Sequence, residues 1–180
     1  MRASIKVTTS TESPGLPDAD RLKRSFPPVV DGNTRVIVLG SLPGEQSLAA
    51  GRYYANPRNQ FWTLIGSVIG KDLAPLAYDE RLETLLRAGV GLWDTIASAQ
   101  REGSLDAAIR NHSPNALPEL ATRLPKLRGF AFNGGKSASL GRAALGDTLL
   151  RLIQLPSSSP AYTMPLADKK TAWMKLRELL

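Results

Sequence analysis

The stretch "RVIVLGSLPGEQSLAAGRYYANPRNQFW", Arg35 to Trp62, decides the architecture. Its first part, "RVIVLG", is a short continuous apolar run ended by glycine. Such a run reads as a strand covered on both faces, as in a parallel sheet. Turn residues follow Gly40. Residues 52 to 62 then hold two tyrosines, two asparagines, two arginines, a phenylalanine and a tryptophan within eleven positions. Hydrogen-bonding and stacking groups gathered directly behind a buried strand predict a site for something flat and polar.

Outward from that strand, helical and strand-like patterns alternate. "NQFWTLIGSVIG" carries apolar residues at 61, 62, 64, 65, 68 and 69, a helical spacing, with Pro57 suited to a helix start. "YDERLETLLRAG" predicts a second helix stopped by Gly89. "VGLWDTI" reads as a second strand, "GSLDAAIRN" as a turn into a short helix, and "NALPELATRLP" as a helix. "LRGFAFNG" predicts a third strand and "GKSASLGRAAL" the helix after it. "LLRLIQLPSSSP" is a fourth strand ending in a turn, and "LADKKTAWMKLREL" a C-terminal amphipathic helix. The alternation predicts one three-layer α/β/α domain over residues 26–180, with a central, mostly parallel four-stranded sheet. Residues 1–25 are rich in Ser, Thr, Pro and Gly and read as a loose leader.

Composition narrows the function. A chain of 180 residues suits one domain with a real core. Hydrophobic content of 42% and charged content of 22% are ordinary for a soluble globular protein. No apolar run approaches the ~18 residues of a membrane span, and "MRASIKVTTSTESPGLPDAD" lacks a signal-peptide core. With no cysteine there is no disulfide, no thiolate metal site and no iron–sulfur ligand. His112, in the loop-like "RNHSPN", is the single histidine, so a zinc site or a Ser-His-Asp triad would have to use it. The expectation is a monomer without metal, cofactor or membrane contact, in the cytoplasm and associated with a bacterial nucleoid. A net charge of +7, from 23 basic and 16 acidic residues, favours a polyanion such as nucleic acid. Mild basicity also occurs in proteins that bind none. No long basic run exists, so a patch must be assembled by folding.

Ligands of open α/β sheets bind outside the carboxyl ends of the strands. Three segments fall there: "GSLPGEQS", "NGGKS" and "LPSSSPAY". Their Gly, Ser, Pro and Asn residues suit close backbone approach to a ligand. Familiar phosphate and hydrolase motifs fail. A P-loop ending in the Gly-Lys-Ser of "NGGKS" would need its first glycine at Phe130. No dinucleotide fingerprint follows a strand, and "GSLPG" has its serine in the second position, unlike a nucleophile elbow.

Taken together, "GSLPGEQSL…YYANPRNQFW", "GLWDTIASAQREGSLDAAI", "FNG" and "LPSSSPAY" resemble the uracil-DNA glycosylase superfamily, and most of all its hypoxanthine-DNA (deoxyinosine) glycosylase branch. The resemblance runs in order over about residues 35 to 179 and is specific as a combination, whereas "FNG" alone is weak. It implies a three-layer α/β/α fold and a DNA partner carrying deaminated bases. The mismatch-specific uracil glycosylases are more distant, sharing a Gly-x-x-Pro-Gly first motif and a similar helix start. The best-known uracil branch has an aspartate in the first motif and a histidine in the last; here Ser41, Leu42 and Leu155 stand at such places. The iron–sulfur branches need four cysteines. The hypoxanthine branch lacks that acid and histidine and relies on asparagines, which by resemblance are Asn59 and Asn133.

Base release develops oxocarbenium character on the sugar and negative charge on the base. An asparagine orients water through its carbonyl and donates to a base through its amide. The resemblance implies water positioning by Asn59 and base-edge recognition by Asn133, two roles that are interchangeable at this point. The base pocket is expected from Gly40, Ser41, Leu42, Pro43, Gly44, Tyr54 and Phe61, with backbone N–H groups of residues 42–45 facing the leaving base. DNA contact is expected from Arg58, Lys136, Ser157, Ser158, Ser159, Pro160, Ala161 and Tyr162, with the last three as wedge and Arg52 and Arg142 nearby. Plainer roles stand beside these. Asn59 suits a helix cap, Asn133 a turn, Tyr53 and Trp62 the core, Asp94 a cap, and Glu45 a solvated loop or a base. Lys136 is the only lysine in the site motifs, and a Schiff base there would need a depressed pKa. Three functions remain open: a monofunctional deoxyinosine glycosylase, a mismatch-type uracil glycosylase, and a non-catalytic nucleotide- or protein-binding domain.

Overall fold

A computed structural model describes residues 22–180. Of the leader expected over residues 1–25, residues 1–21 lie outside the described residues, and residues 22–25 are not loose, being paired with the strand at residues 96–100. Residues 22 to 24 form a strand, β1 (Leu22–Arg24). The apolar run after Arg35 is β2 (Val36–Gly40), whose residues 36 to 39 are wholly buried. The helices α1 (Glu45–Ala50), α2 (Phe61–Ile69) and α3 (Tyr78–Arg87) follow. Then come β3 (Val90–Asp94), β4 (Ile96–Gln100) and β5 (Arg110–Pro114). The remaining elements are α4 (Leu117–Thr122), β6 (Gly129–Asn133), α5 (Gly135–Leu145), β7 (Arg151–Leu155) and α6 (Leu166–Trp173).

The central sheet runs β3-β2-β6-β7, all parallel, with Val36 level with Val90 on one side and Gly129 on the other. The period-2 alternation of β2 sorts its side chains between two layers. Val36 and Val38 join Phe61, Ile65, Leu85, Trp173 and Leu176 beneath α2, α3 and α6. Ile37 and Leu39 join Leu117, Leu120, Phe130, Phe132 and Ala138 beneath α4 and α5. Helices on both faces make the three-layer α/β/α fold expected from the alternation. The sheet order changes direction between β2 and β6. That crevice is the topological switch point where such sheets bind ligands.

Three details depart from the pattern-based expectation. "VGLWDTI" is not one strand. Thr95 donates its N–H to Gly40 O (2.8 Å) and Ile96 to Ser41 O (3.1 Å), so the chain turns out of the central sheet there. β4 then pairs antiparallel with β1 and β5 in a second, three-stranded sheet. The short helix expected in "GSLDAAIRN" is one 3-10 turn, Asp106–Ala108, leading into β5. "EQSLAA", taken as loop, is α1, closed by Gly51 at φ 62°. Among the described residues, no helix is long and apolar enough to cross a membrane.

Candidate active site

The carboxyl ends of all four central strands meet at one rim. β2 contributes Gly40, β3 Asp94, β6 Asn133 and β7 the segment after Leu155. Gly40 and Asp94 are level in the sheet. A Cβ on Gly40 would stand 2.6 Å from Asp94 Oδ1 and 3.5 Å from the Tyr54 hydroxyl, so only glycine leaves both groups room.

Asn133 is buried and fully engaged. Its Nδ2 donates to Ser158 Oγ (2.8 Å) and to the Tyr54 hydroxyl (3.2 Å), and its Oδ1 accepts from Ser158 N–H (2.8 Å). The last strand-end segment is thereby tied to the third strand, and Ser158 O in turn accepts from Gln60 N–H at 3.0 Å. Asn59 Oδ1 accepts from Phe61 N–H (3.0 Å) in the turn leading into α2; the N-cap position itself is Gln60, so Asn59 braces the turn and is not the cap expected of it.

Tyr54 is locked from several directions. Its backbone sits at φ 52°, a left-handed conformation that a non-glycine residue adopts at a cost of ~1–3 kcal/mol. Its ring stacks on Phe61 at 3.7 Å and 9°, and its carbonyl accepts from Trp62 Nε1 at 3.2 Å. Burial first, and then the charge of Asp94, push its hydroxyl far above the ordinary tyrosine value, so it stays protonated.

Asp94 is 3% exposed. Burial pushes its carboxyl up to about 7, with Arg101 pulling it down, Asp106 adding to the rise and the Tyr53 hydroxyl lowering it. Its Oδ2 has no hydrogen-bond partner; among the described residues the other such buried oxygens are Gln60 Oε1 and Thr95 Oγ1. All three sit on segments that end at this rim. Of the three, Asp94 is the one placed at the rim, its other carboxyl oxygen bordering Gly40 beside the Tyr54 hydroxyl.

The glycine-rich loop after β2 is held from behind. Arg101, 2% exposed, donates to Gly103 O (2.8 Å), Leu42 O (3.2 Å) and Pro43 O. Ser41 Oγ donates to Asp106 Oδ1 at 2.5 Å, and Glu45 N–H donates to Ser104 Oγ at 2.9 Å. Pro43 carries no N–H, so the loop amides left to face a base are those of Leu42 and Gly44.

Several expected site residues are brought to this rim: Gly40, Tyr54, Asn59 and Asn133, with Ser41, Pro43 and Gly44 in the adjoining loop. Others are corrected. The Leu42 side chain packs away from the rim with Ile96, Ala99 and Ile109, because the second sheet needs an apolar cover. Phe61 is wholly buried beneath the Tyr54 ring and supports that ring rather than facing a ligand. Ser158 is wholly buried in its bonds to Asn133, so its hydroxyl does not face a phosphate. Glu45 pairs with Lys23 at 3.5 Å on the side of the second sheet. Arg52 lies over the Tyr78 ring at 5.4 Å, and Arg142 over Phe132 at 5.6 Å.

Arg58 is exposed in the turn before α2, and Lys136 is half-buried on the first turn of α5. Pro160, Ala161 and Tyr162 are exposed, with Ser157 and Ser159 half-buried beside them. Beneath this tip lies Lys169, 1% exposed, which donates to Tyr162 O at 2.8 Å and Ser159 O at 3.5 Å. Sequence reasoning gave no site role to Lys169, Arg101 or Gln60. A lysine or arginine reads as solvated unless its carbonyl partners are known, and those partners lie on other segments.

Comparison with known proteins agrees over nearly the whole chain. Residues 27–177 match the family model described as the uracil DNA glycosylase superfamily. A hypoxanthine DNA glycosylase of Methanosarcina barkeri is 41% identical over 154 residues, covering 84% of this chain and 95% of that protein. One from Methanosarcina acetivorans is 39% identical over 152 residues, covering 84% and 96%. A solution NMR structure of a Methanosarcina acetivorans protein, described as a candidate uracil DNA glycosylase, matches with a TM-score of 0.77. Its identity is 38%, with 88% of this chain and 98% of that one covered.

Proposed function

Because the chain belongs to the uracil DNA glycosylase superfamily, we propose that it is a monofunctional DNA glycosylase that releases hypoxanthine from deoxyinosine. The observation that carries this reading is the polar rim at the switch point, where Gly40, Tyr54, Asp94 and Asn133 converge. A flipped base is flat and polar and suits such a rim. The names of the two Methanosarcina relatives support hypoxanthine as the base.

In this reading Asn59 acts on the reacting atoms. Its bond from Phe61 N–H fixes the side-chain orientation, and its second carbonyl lone pair orients the attacking water. Asn133 acts through its neighbours, holding the Tyr54 hydroxyl and Ser158 in position. Tyr54 accepts from Asn133 and keeps its own hydroxyl proton for the base. The amides of Leu42 and Gly44 face the charge that develops on the leaving base. Arg58 and Lys136 contact phosphates, and Pro160, Ala161 and Tyr162 fill the gap left by the flipped nucleotide. One copy of the chain suffices for all of this, and its workplace is the chromosome.

The test is base release from duplexes that each carry one hypoxanthine, uracil or xanthine. Hypoxanthine should be released fastest, and Asn59→Ala should slow release by roughly 10²-fold or more. Preferential release of uracil would favour the mismatch-type uracil glycosylase alternative. No release from any duplex or single strand by a folded protein would refute the enzyme assignment.

A further inference from the structure

Asp94 has no task in the scheme above, yet its surroundings are unusual. A carboxyl group that is 3% exposed, with Oδ2 unpaired and only the Tyr53 hydroxyl beside it as a hydrogen-bonding group, is costly as a charge. Its other oxygen borders the bare Gly40 backbone, where carboxyl and Tyr54 phenol converge on one vacant Cβ position. The charged and titratable groups acting on it are Arg101 from beyond β4, Asp106 from the 3-10 turn, and Tyr53 and Tyr54 from the segment before α2. Of these, Arg101 is already engaged by three carbonyls of the neighbouring loops, and Asp106 by Ser41. Neither neutralises Oδ2 by direct contact.

We propose that Asp94 is the general acid of the reaction, delivering its proton to a ring nitrogen of the departing hypoxanthine. This rests on the glycosylase reading. The C1′–N9 bond breaks with its electron pair going to the base, while the Asp94 carboxyl proton passes to a ring nitrogen. The sugar is left as an oxocarbenium ion beside the new carboxylate, which stabilises it. The water oriented by Asn59 adds to C1′, and its proton returns to Asp94. One water is consumed, one neutral base and one abasic sugar are formed, and Asp94 ends as it began. A purine profits from such a donor because protonation turns an anionic leaving group into a neutral one. Burial supports the assignment by keeping the carboxyl protonated until about pH 7. The sequence places no acid other than Glu45 in the first loop, and Glu45 is paired with Lys23.

The experiment is single-turnover hypoxanthine release from a duplex between pH 5 and pH 9, with wild type and Asp94→Asn. The wild-type rate should fall about tenfold per pH unit above about 7. Asp94→Asn should lose that limb and be ~10²–10⁴-fold slower at pH 6. Its binding to a duplex with an uncleavable abasic analogue should be unchanged. A folded Asp94→Asn with the wild-type rate, or a slow one that keeps the limb, would overturn the proposal. If the variant does not fold, carbon NMR titration of the wild-type carboxyls decides. A resonance with a midpoint near neutrality that Tyr54→Phe shifts supports it, and no such resonance overturns it. A wild type that releases no hypoxanthine at any pH would sink the glycosylase reading itself, a result distinct from these.

Discussion

Replacing Asn133 with alanine isolates the tie that closes the rim. Three hydrogen bonds go at once: Nδ2 to Ser158 Oγ, Nδ2 to the Tyr54 hydroxyl, and Ser158 N–H to Oδ1. The two side-chain donations contribute roughly 1 kcal/mol each in net terms. The third loss weighs more. Ser158 is wholly buried, so its N–H is stranded without acceptor or water, a cost of ~1–3 kcal/mol. The total is about 3–5 kcal/mol, a sizeable part of the ~5–15 kcal/mol that a domain of this kind holds. At ~2–4 °C per kcal/mol, the melting temperature should fall by roughly 10 °C. Ser158→Ala removes an acceptor but keeps the backbone bond, so it should cost about half as much. The double variant should be less destabilised than the sum, by about 1 kcal/mol or more, since both changes break one shared contact. Thermal and urea unfolding of the four proteins gives the cycle. An Asn133→Ala protein within 1 kcal/mol of wild type, or strict additivity with Ser158→Ala, would refute the account of this residue as a structural tie.

Gly40→Ala brings a methyl to 2.6 Å from Asp94 Oδ1. Either the carboxyl or β2 must shift, so base release should fall by roughly 10-fold or more with a stability loss of ~1–3 kcal/mol; kinetics and unfolding of this variant measure both. Stability should also depend on the ionisation of Asp94. Its folded value is raised from 3.8 to about 7, so the contribution is complete below about pH 4 and is lost as pH rises through about 7. The loss amounts to at most about 4 kcal/mol above that range. Urea unfolding at pH 5 and pH 8.5 should therefore show Asp94→Asn gaining on the wild type at the higher pH, and a constant difference would refute the burial argument.

The central sheet was legible because "RVIVLG" and "GFAFN" are continuous apolar runs, and such runs suit strands covered on both faces. The α2 periodicity and the stop at Gly89 were legible for the same local reason. The turn at Thr95 was not. "VGLWDTI" stays strand-like across it, and the change of sheet depends on bonds to Gly40 O and Ser41 O, set by tertiary structure. β5 was hidden because "RNHSP" has no apolar alternation; all five residues are exposed and the strand exists through pairing with β4. In "SSS" nothing local distinguishes the serine that turns inward, and Asn133 is what selects Ser158. Asp94 was visible as a polar end to a strand, but its burial and orphaned oxygen required knowing where Gly40, Tyr53 and Tyr54 come to rest. Asn59 and Asn133 were named from resemblance. The structure adds that one braces the turn into α2 and the other is a tie.

The buried Lys169 bears on how quickly the protein searches. An ammonium group sealed under a surface tip and bonded to the carbonyls of Ser159 and Tyr162 has already sacrificed its hydration when the chain folds. The exposed Pro160–Tyr162 tip is therefore shaped before any duplex arrives. If that tip is the wedge proposed above, an encounter with undamaged DNA would require no ordering of it. A wedge shaped in advance in this way would leave the slow step to the nucleotide that swings out of the helix.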